Sequence, residues 1–331
     1  MNYKDIYFSP NYGKLYEKAE NGKAVCWTYN GKEGVVLHQF ILRRIPILTE
    51  ESWFDIVTPY GSGGPIIEKI NDGHSKEELT DAFEKEFSKY CKENNIVSEF
   101  VRFHPILKNA YDFGNVYSPK CIRQTLGTSL EFEDPLLEEF SKGCRKNIRR
   151  TTSAGVSCRV TLAPKDISVF KDIYYATMDR NSATEYYYFD DEYFQKCLEF
   201  FGENLLLVEA MYNEKTISAG LYFVYNDIIH IHLSGTLTEF LKLSPAYLLR
   251  YSVMVWGKEN GYKLIHHGGG KSNSRDDSLF LFKKQFAQKT EFDFYVGKKI
   301  WDRETYDKLC SINGVDPNSE FFPAYRIEKK V

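Results

Sequence analysis

The sequence predicts an α+β protein made of two tandem modules, each a mixed, mostly antiparallel sheet flanked by helices. Two observations support this fold class. The chain has 331 residues, of which 16% are aromatic and 27% charged, so it is long enough for two hydrophobic cores and too aromatic for a disordered protein. An order of three strands, a loop, a helix and a strand can also be read twice, as expected for a duplicated unit that buries a sheet face under its helices.

The first module begins with strands and then forms a helix. Four segments have the alternation or the apolar runs typical of strands: residues 24–30, 34–44, 52–60 and 97–105. Residues 30–33, with the sequence NGKE, are a hairpin signal between the first two strands. Ser75 and Glu78 form a capping box, which predicts a helix from this point to about Asn94.

The second module mixes strands and helices. Alternation predicts strands over residues 156–162, 204–212, 216–225, 228–235, 262–267 and 290–296. Helical spacing of apolar residues predicts helices over residues 166–180, 191–201, 246–260 and 278–287. Ser244 before Pro245 is the expected N-cap of the third of these helices, and Gly261 is its expected end.

A reversal of charge marks the predicted boundary between the modules. Acidic residues up to Glu139 are followed by a basic stretch that contains Lys142, Arg145, Lys146, Arg149, Arg150 and Arg159. We therefore predict an N-terminal module over residues 1–143 and a C-terminal module over residues 144–331, whose last residues can pack back on the first module. The basic stretch is either a solvated helix face or a patch that contacts phosphates.

Overall charge and hydropathy indicate a cytoplasmic protein, free or peripheral to the inner face of the membrane. The net charge is −3, so any nucleic acid or anionic membrane must bind a local patch. No apolar run approaches the ~18 residues that span a bilayer, and the N-terminus lacks the apolar core of a signal peptide. The seven cysteines include no CxxC pair, which favours buried reduced thiols over disulfides or a zinc site.

Four segments occur in an order that resembles a known family. They are TPYGSGGP (58–65), FVRFHP (100–105), SPAYLLRYSVMVWGKENGYKLIHHGGG (244–270) and DSLFLFKKQFA (277–287). This set resembles the Fem-type family of tandem GNAT-like acyltransferases, which includes the aminoacyl-tRNA-dependent enzymes that build peptidoglycan cross-bridges. The resemblance implies two tandem GNAT-like modules. It also implies that Lys283, the lysine of the FK pair, stabilises the negative charge that develops during the reaction.

Two departures bear on the acyl donor. The long helical arm of some Fem-type members, thought to help with tRNA, has no counterpart, so the chain resembles the compact, armless members. Acetyl-CoA-dependent GNAT proteins carry a glycine-containing loop before the helix that follows their fourth strand, whereas the corresponding segment LTEFLKLSPAYLL has no glycine after Gly235. The pyrophosphate cradle expected for CoA is therefore absent from that position. The donor remains open between aminoacyl-tRNA and acyl-CoA.

Acyl transfer to an amine needs a neutral amine, a stabiliser for the oxyanion and a proton for the leaving group. His232 is the second candidate catalytic residue, because His230, His232 and Ser234 share one face of a predicted strand. The resemblance places this strand where GNAT-like folds splay open for the donor, so His232 would transfer a proton or orient the substrate. The alternative is two hydrogen-bonded histidines on a half-buried strand, and without a third ligand no metal is expected.

Two glycine-rich segments are candidate binding loops. They comprise Gly268, Gly269, Gly270 and Lys271 after a core strand, and Tyr60, Gly61, Gly63 and Gly64 in a predicted strand-to-helix connection. Glycines permit close backbone approach, so exposed amides there could bind a carbonyl or a phosphate. A plain turn is the alternative for both.

Further candidates would line a cleft between the modules that binds a nucleotide-linked or phosphorylated acceptor. They are Arg43, Arg44, Arg102, Arg180 and Asn181, and Tyr187 is a separate candidate in a loop between two predicted helices. A buried salt bridge explains Arg102 almost as well, because a cation among apolar residues must be paired. The tyrosine run 186–188 either stacks on a sugar or base, or packs as a lid.

These features predict an N-acyltransferase that forms an amide on an amine-bearing cell-envelope or saccharide precursor by direct attack, without a covalent enzyme intermediate. Its acceptor would be a small or lipid-linked molecule, and tRNA would bind through the local basic patch. The alternative is a non-catalytic binding protein of the same fold for a nucleotide-sugar or peptide, since a fold does not fix a function.

Overall fold

The computed structural model describes residues 3–47 and 52–328. Its strands, numbered along the chain, are β1 (Gly22–Asn30), β2 (Gly34–Arg44), β3 (Phe54–Val57), β4 (Gly64–Ile70), β5 (Ile96–Arg102), β6 (Lys120–Ser129), β7 (Ser157–Leu162), β8 (Leu205–Tyr212), β9 (Lys215–Tyr225), β10 (Ile228–Thr236), β11 (Leu264–Gly268) and β12 (Thr290–Ile300). Its α-helices are α1 (Pro10–Leu15), α2 (Lys76–Glu93), α3 (Asn109–Asp112), α4 (Gly114–Tyr117), α5 (Pro135–Glu139), α6 (Lys142–Ser153), α7 (Ser168–Arg180), α8 (Asp191–Phe201), α9 (Pro245–Glu259), α10 (Ser278–Lys284) and α11 (Arg303–Ile312). In the part of the chain so described, no helix is both long enough and apolar enough to cross a membrane.

The chain divides into two compact units. Unit 1 takes in Tyr7–Ile122 and the chain from Asp293, and unit 2 takes in Lys4–Ile6 and Arg123–Phe292. The division predicted at residue 143 falls instead within α6. The charge reversal marks the exposed start of that helix, whereas unit membership follows strand pairing, which charge along the sequence does not report.

Unit 1 has the strand order β1-β2-β3-β5-β12, with β4 paired to β2. Among the strands named above in this unit, β3 and β5 pair in parallel, and the other pairs are antiparallel. Helix α2 starts at the predicted capping box, in which both reciprocal bonds between Ser75 and Glu78 are present. Its Phe83 and Phe87 are buried in the main core of the unit, and α11 contributes Leu309 to a smaller core.

Unit 2 has the strand order β6-β11-β10-β9-β8-β7, in which only β10 and β11 are parallel. Both faces of this sheet are covered by helices. Tyr222 and Val224 of β9 share a core with Leu248 and Val253 of α9, whereas the intervening Phe223 contacts Phe201 of α8. Alternate strand residues point to opposite faces, so α8 and α9 lie on opposite sides of the sheet.

The predicted α+β fold class is confirmed, since each unit is a mixed sheet flanked by helices. Most predicted strands and helices of the second module are observed within a few residues of their expected bounds. The sequence did not predict strands β4 and β6 or helices α1, α3, α4, α5 and α11. Strand β6 was missed because its sequence, KCIRQTLGTS, contains few apolar residues and no clear alternation.

Candidate active site

Strands β10 and β11 part from each other within unit 2. In the described chain they pair only over Ile228–His230 of β10. Each strand then carries a bulge in its antiparallel pairing, and the extra residue is a histidine: His232 in β10 and His267 in β11. Because a bulge bends its strand and redirects a side chain, the place where the two strands separate is flanked by two redirected histidines.

Lys283 lies beside the loop that follows β11. It belongs to α10, and its Nζ donates a hydrogen bond to the carbonyl oxygen of Gly269 at 2.6 Å. Gly268 has a φ of 70°, a left-handed conformation that glycine adopts without strain. A Cβ at Gly268 would lie 3.6 Å from Lys283 Nζ. The glycines of this loop therefore bring the backbone against the amine.

The charge state of Lys283 is set by its surroundings. Burial lowers the pKa of its ammonium group to about 7, and the charges of Arg250 and Arg123 act in the same direction, whereas Asp277 opposes them. Arg123 also donates to the carbonyl oxygen of Gly270 at 3.3 Å. A lysine with this pKa exists as both amine and ammonium near neutral pH, as a group that transfers protons requires, and its ammonium form can stabilise negative charge.

Asp277 holds the loop to the helix. Its Oδ1 accepts from the backbone N–H groups of Leu279 at 3.0 Å and Phe280 at 2.9 Å, and its Oδ2 accepts from that of Ser272 at 3.0 Å. The bond from Phe280 is the largest cause that lowers the pKa of this carboxyl to about 2. A Cβ on Gly270 would lie 2.5 Å from Asp277 Oδ1, so this contact requires glycine.

His232 is placed on the other strand of the opening. Its Nε2 lies 2.5 Å from the Tyr193 hydroxyl, and its ring packs on Phe223. Burial lowers the pKa of His232 to about 3, with a smaller effect from His230. The neighbouring His230 contacts Asp5 through Nε2 at 2.8 Å. An imidazole with so low a pKa is neutral at physiological pH and a weak proton acceptor, which favours an orienting role for His232 over proton transfer.

The glycine-rich segment of the first module has a different setting from the one predicted. Tyr60, Gly61 and Gly63 lead into β4, and Gly64 is its first residue, so the segment is not a strand-to-helix connection. A Cβ on Gly64 would lie 2.7 Å from Val101 Cγ1, and its φ is 81°. Close packing between strands therefore explains the glycine at this position, and a helix N-terminus for a phosphate is absent there.

Arg43 and Arg102 lie in an ion-pair network in unit 1. Arg43 Nε donates to Asp55 Oδ1 at 2.9 Å, and Arg43 Nη1 donates to Glu20 at 3.2 Å. Arg102 lies 3.7 Å from Glu20 and donates to the carbonyl oxygen of Thr58. These contacts favour the salt-bridge interpretation of Arg102 and extend it to Arg43. Binding of the acceptor substrate by either arginine stays a prediction.

The remaining candidates are partly or fully exposed. Arg180 Nη1 donates to the carbonyl oxygen of Thr236 at the end of β10, at 2.6 Å. The other four are exposed: Arg44, Asn181, Tyr187 and Lys271. The structure thus brings Lys283 together with Gly268, Gly269 and Gly270, and it ties Arg180 to β10.

Sequence reasoning missed four residues that surround Lys283: Arg123, Arg250, His267 and Asp277. Two of them have sequence features by which they could have been found. Arg250 is the one cation in the apolar run AYLLRYSVMVW, three residues from Val253 on the helix face that is buried. Asp277 precedes the apolar run of α10 as an N-cap residue does. The other two depend on contacts between distant segments.

The cysteines offer no activated nucleophile among those with a shifted pKa. Burial raises the pKa of the thiols of Cys144 and Cys197 to about 12 and that of Cys158 to about 11, so they stay protonated. Cys26 and Cys121 are exposed, contrary to the expectation that all seven thiols are buried.

Comparison with known proteins confirms the Fem-type resemblance. Residues 122–215 match the FemAB family. Over 176 residues the chain is 24% identical to the UDP-N-acetylmuramoylpentapeptide-lysine N(6)-alanyltransferase of Weissella viridescens, a match that covers 52% of this chain and 51% of that protein. The chain thus spans about half the length of this relative.

Solved structures support the fold. The crystal structure of FemX is similar with a TM-score of 0.67 at 15% identity, over 92% of this chain and 94% of that one. L-PGS from Bacillus licheniformis is similar with a TM-score of 0.56 at 15% identity, over 91% and 95% of the two chains. At these identities the likeness concerns the fold alone.

Proposed function

We propose that this chain, whose Fem-type resemblance is confirmed, is an aminoacyltransferase that forms an amide on an amine-bearing precursor of the cell envelope. The relative from Weissella viridescens is named for transfer of alanine to the lysine of a UDP-linked muramoyl pentapeptide. A nucleotide-linked or lipid-linked peptidoglycan precursor with a free amine is therefore the proposed acceptor, and aminoacyl-tRNA is the proposed donor.

The observation that carries the proposal is the position of Lys283 beside the glycine loop where β10 and β11 part. In the proposed reaction the acceptor amine attacks the ester carbonyl of the donor and a C–N bond forms. The Lys283 ammonium stabilises the negative charge on the carbonyl oxygen. The C–O bond to the ribose then breaks, and the ribose oxygen takes the proton that the amine releases.

Two features favour aminoacyl-tRNA over acyl-CoA. The connection from β10 to α9 contains the short 3₁₀ segment Thr238–Leu243 and no glycine loop, so the backbone cradle of CoA-dependent relatives is missing. The exposed face of α6 carries Lys142, Lys146 and Arg149, a local positive surface that suits RNA phosphates.

The test compares Lys283→Met with the matched control Lys284→Met. Each protein is incubated with a charged tRNA pool and with acetyl-CoA, and UDP-N-acetylmuramoylpentapeptide or its lipid-linked form is the acceptor. We expect Lys283→Met to lower transfer from aminoacyl-tRNA roughly 100- to 1,000-fold, as removal of one oxyanion donor does. Lys284 forms an ion pair with Glu291 at 2.6 Å, so its removal should leave the rate nearly unchanged.

Circular dichroism of both variants provides the folding control. A wild-type chain that binds an acceptor and transfers nothing from any donor would instead be the non-catalytic binding protein. Transfer from acetyl-CoA alone would overturn the proposed donor and keep the proposed class of reaction.

A further inference from the structure

Arg250 is a buried cation whose neighbours do not neutralise it. The residue is 7% exposed on α9, and within the described residues no carboxylate contributes to its electrostatic environment. The groups whose negative charge would favour its charged form are Tyr222 and Cys144. Burial raises the pKa of Tyr222 well above its usual value and that of Cys144 to about 12, so both are uncharged at neutral pH. A desolvated guanidinium without a counter-ion is costly.

A chain of hydrogen bonds begins at the Arg250 guanidinium group. Arg250 Nη1 lies 2.8 Å from His267 Nδ1, and because a guanidinium only donates, His267 Nδ1 must accept. His267 Nε2 lies 2.7 Å from Thr128 Oγ1, and the Thr128 hydroxyl donates to the carbonyl oxygen of Phe286 at 2.6 Å. The single hydroxyl proton is thus used, so His267 Nε2 donates to Thr128. The chain of donation runs from Arg250 through His267 and Thr128 to Phe286.

Aromatic contacts connect the same cation to the segment that carries Lys283. The Arg250 guanidinium carbon lies 5.5 Å from the ring centroid of Phe282 and 5.2 Å from that of Phe286. Phe282 directly precedes Lys283 in α10, and Phe286 follows the end of that helix. Cation–π contacts of a desolvated arginine are among the stronger ones. Arg250 therefore contacts the residue before Lys283 and a residue just past the end of α10, and it is also the donor that starts the hydrogen-bond chain to the Phe286 carbonyl oxygen.

We propose that Arg250 is a positioning residue for Lys283 in the transfer reaction. The proposal rests on the proposed function, and it adds a residue that acts through Lys283 instead of touching the substrate. Arg250 holds α10 through Phe282, Phe286 and the chain through His267. It also keeps a permanent positive charge close to the amine.

The other charged and titratable groups that face Lys283 come from three neighbouring segments. Arg123 of β6 adds a second positive charge, and Asp277 at the start of α10 adds a negative one. His267 of β11 is neutral, because burial and then Arg250 lower its pKa well below the usual value. Positive charge therefore prevails around the amine, and Arg250 is its most buried source.

The first test measures the pKa of the Lys283 side chain in the absence of any substrate. The protein is labelled with ¹⁵N-lysine, and the side-chain Nζ shift is followed over a pH series. The Lys283 signal is assigned by its absence in Lys283→Met. In Arg250→Met we expect the Lys283 titration to move upward by roughly one pH unit, since a neighbouring positive charge has been removed. Arg250→Gln removes the same charge but introduces a polar side chain. If the Met variant does not fold, the Lys283 titration is measured in the Gln variant.

Two control variants separate the effect of charge from that of packing. Arg250→Lys keeps a cation and should keep the Lys283 titration near its wild-type position. Lys258→Met removes a cation from the same helix at an exposed site, where Lys258 donates to the carbonyl oxygen of Glu133 at 2.8 Å. We expect no shift of the Lys283 signal in this variant, because water screens a surface charge.

An unmoved Lys283 titration in a folded Arg250→Met or Arg250→Gln protein overturns the proposal. So does an equal shift in Lys258→Met. If transfer activity is found, the pH at which kcat/KM changes slope should move with the Lys283 titration. If no donor supports transfer, the proposed function fails, and the substrate-free titration still decides whether Arg250 controls Lys283.

Discussion

Lys283 shows how burial changes the chemistry of an ordinary side chain. A lysine on an amphipathic helix is usually solvated, with a pKa of about 10.4. Here the amine lies against the carbonyl oxygen of Gly269, and burial together with Arg250 lowers its pKa to about 7. The residue thus becomes titratable near neutral pH.

This titration predicts a pH profile for transfer. The proposed reaction needs the Lys283 ammonium and a neutral acceptor amine. Below a pH of about 7 the ammonium is retained, so log kcat/KM should rise with pH as the acceptor amine loses its proton. Above this value the loss of the ammonium offsets that gain, and the profile should level off.

Lys283→Arg provides the control for this profile, because guanidinium stays charged at every accessible pH. Its residual kcat/KM, measured with the same donor and acceptor, should continue to rise where the wild type is level. A wild-type profile that keeps rising through neutral pH would remove Lys283 from the reactive state.

At the scale of elements, two features of unit 2 depart from regular structure. The bulges at His232 and His267 interrupt β10 and β11 where their mutual pairing ends. Bulges are frequent beside active sites because they redirect a side chain without ending the strand. The N-terminus of α9 is also irregular, since Ser244 has a φ of 56° and its side chain does not cap the helix. Its hydroxyl instead accepts from Arg150 at 2.8 Å.

Helix α6 carries a positive surface with regular spacing. Lys142, Lys146 and Arg149 recur at i, i+4 and i+7, so they share one exposed face. Arg145 and Arg159 are occupied otherwise: Arg145 donates to backbone carbonyl groups at the end of α5, and Arg159 forms an ion pair with Glu209. Three of the basic residues singled out in the sequence thus form one exposed positive surface, which is the proposed binding surface for tRNA.

We expect replacement of these three residues by Gln to weaken tRNA binding. The slope of log affinity against log salt concentration should fall by about two to three units, because each lost phosphate contact removes about one released counter-ion. Binding is measured by fluorescence anisotropy with labelled tRNA at several salt concentrations.

The matched control is a triple Gln variant at Lys85, Lys89 and Lys92, which are exposed or partly exposed at the same spacing on α2. It removes the same charge and should leave the slope unchanged. An equal loss in both triple variants would mean that net charge, and no surface on α6, governs binding.

At the scale of the whole molecule, Lys283 couples folding to pH. An unfolded lysine binds a proton up to a pH of about 10.4, whereas folded Lys283 releases it at about 7. Between these values the unfolded state binds more protons, so this residue makes the free energy of unfolding rise with pH. Below a pH of about 7 both states are protonated, and the cost of burying the charge is fully present.

We therefore expect Lys283→Met to lose this dependence. Urea denaturation over the pH series should show a smaller rise in the midpoint between neutral and alkaline pH than in the wild type. Lys284→Met, which removes a cation paired at the surface with Glu291, should retain the wild-type rise. Identical pH dependence of the wild type and Lys283→Met would show that Lys283 has an ordinary pKa in the folded protein.

Local sequence was sufficient to predict most of the elements and one candidate catalytic residue. Three kinds of feature depend only on neighbours within a few residues, so the local sequence specifies them. They are the capping box of Ser75 and Glu78, the hairpin from β1 to β2, and the turns between β8, β9 and β10. Lys283 was identified by the FKKQF pattern within a family resemblance.

Only the tertiary structure decided which cations are neutralised and which are not. Arg43 and Arg102 have acidic partners from distant segments, whereas Arg250 is buried against Phe282, Phe286 and a neutral histidine. The bulges at His232 and His267 and the pairing of β6 with β11 likewise depend on long-range contacts. Sequence periodicity determines which face of an element is apolar, but desolvation and charge pairing depend on what the fold packs against that face.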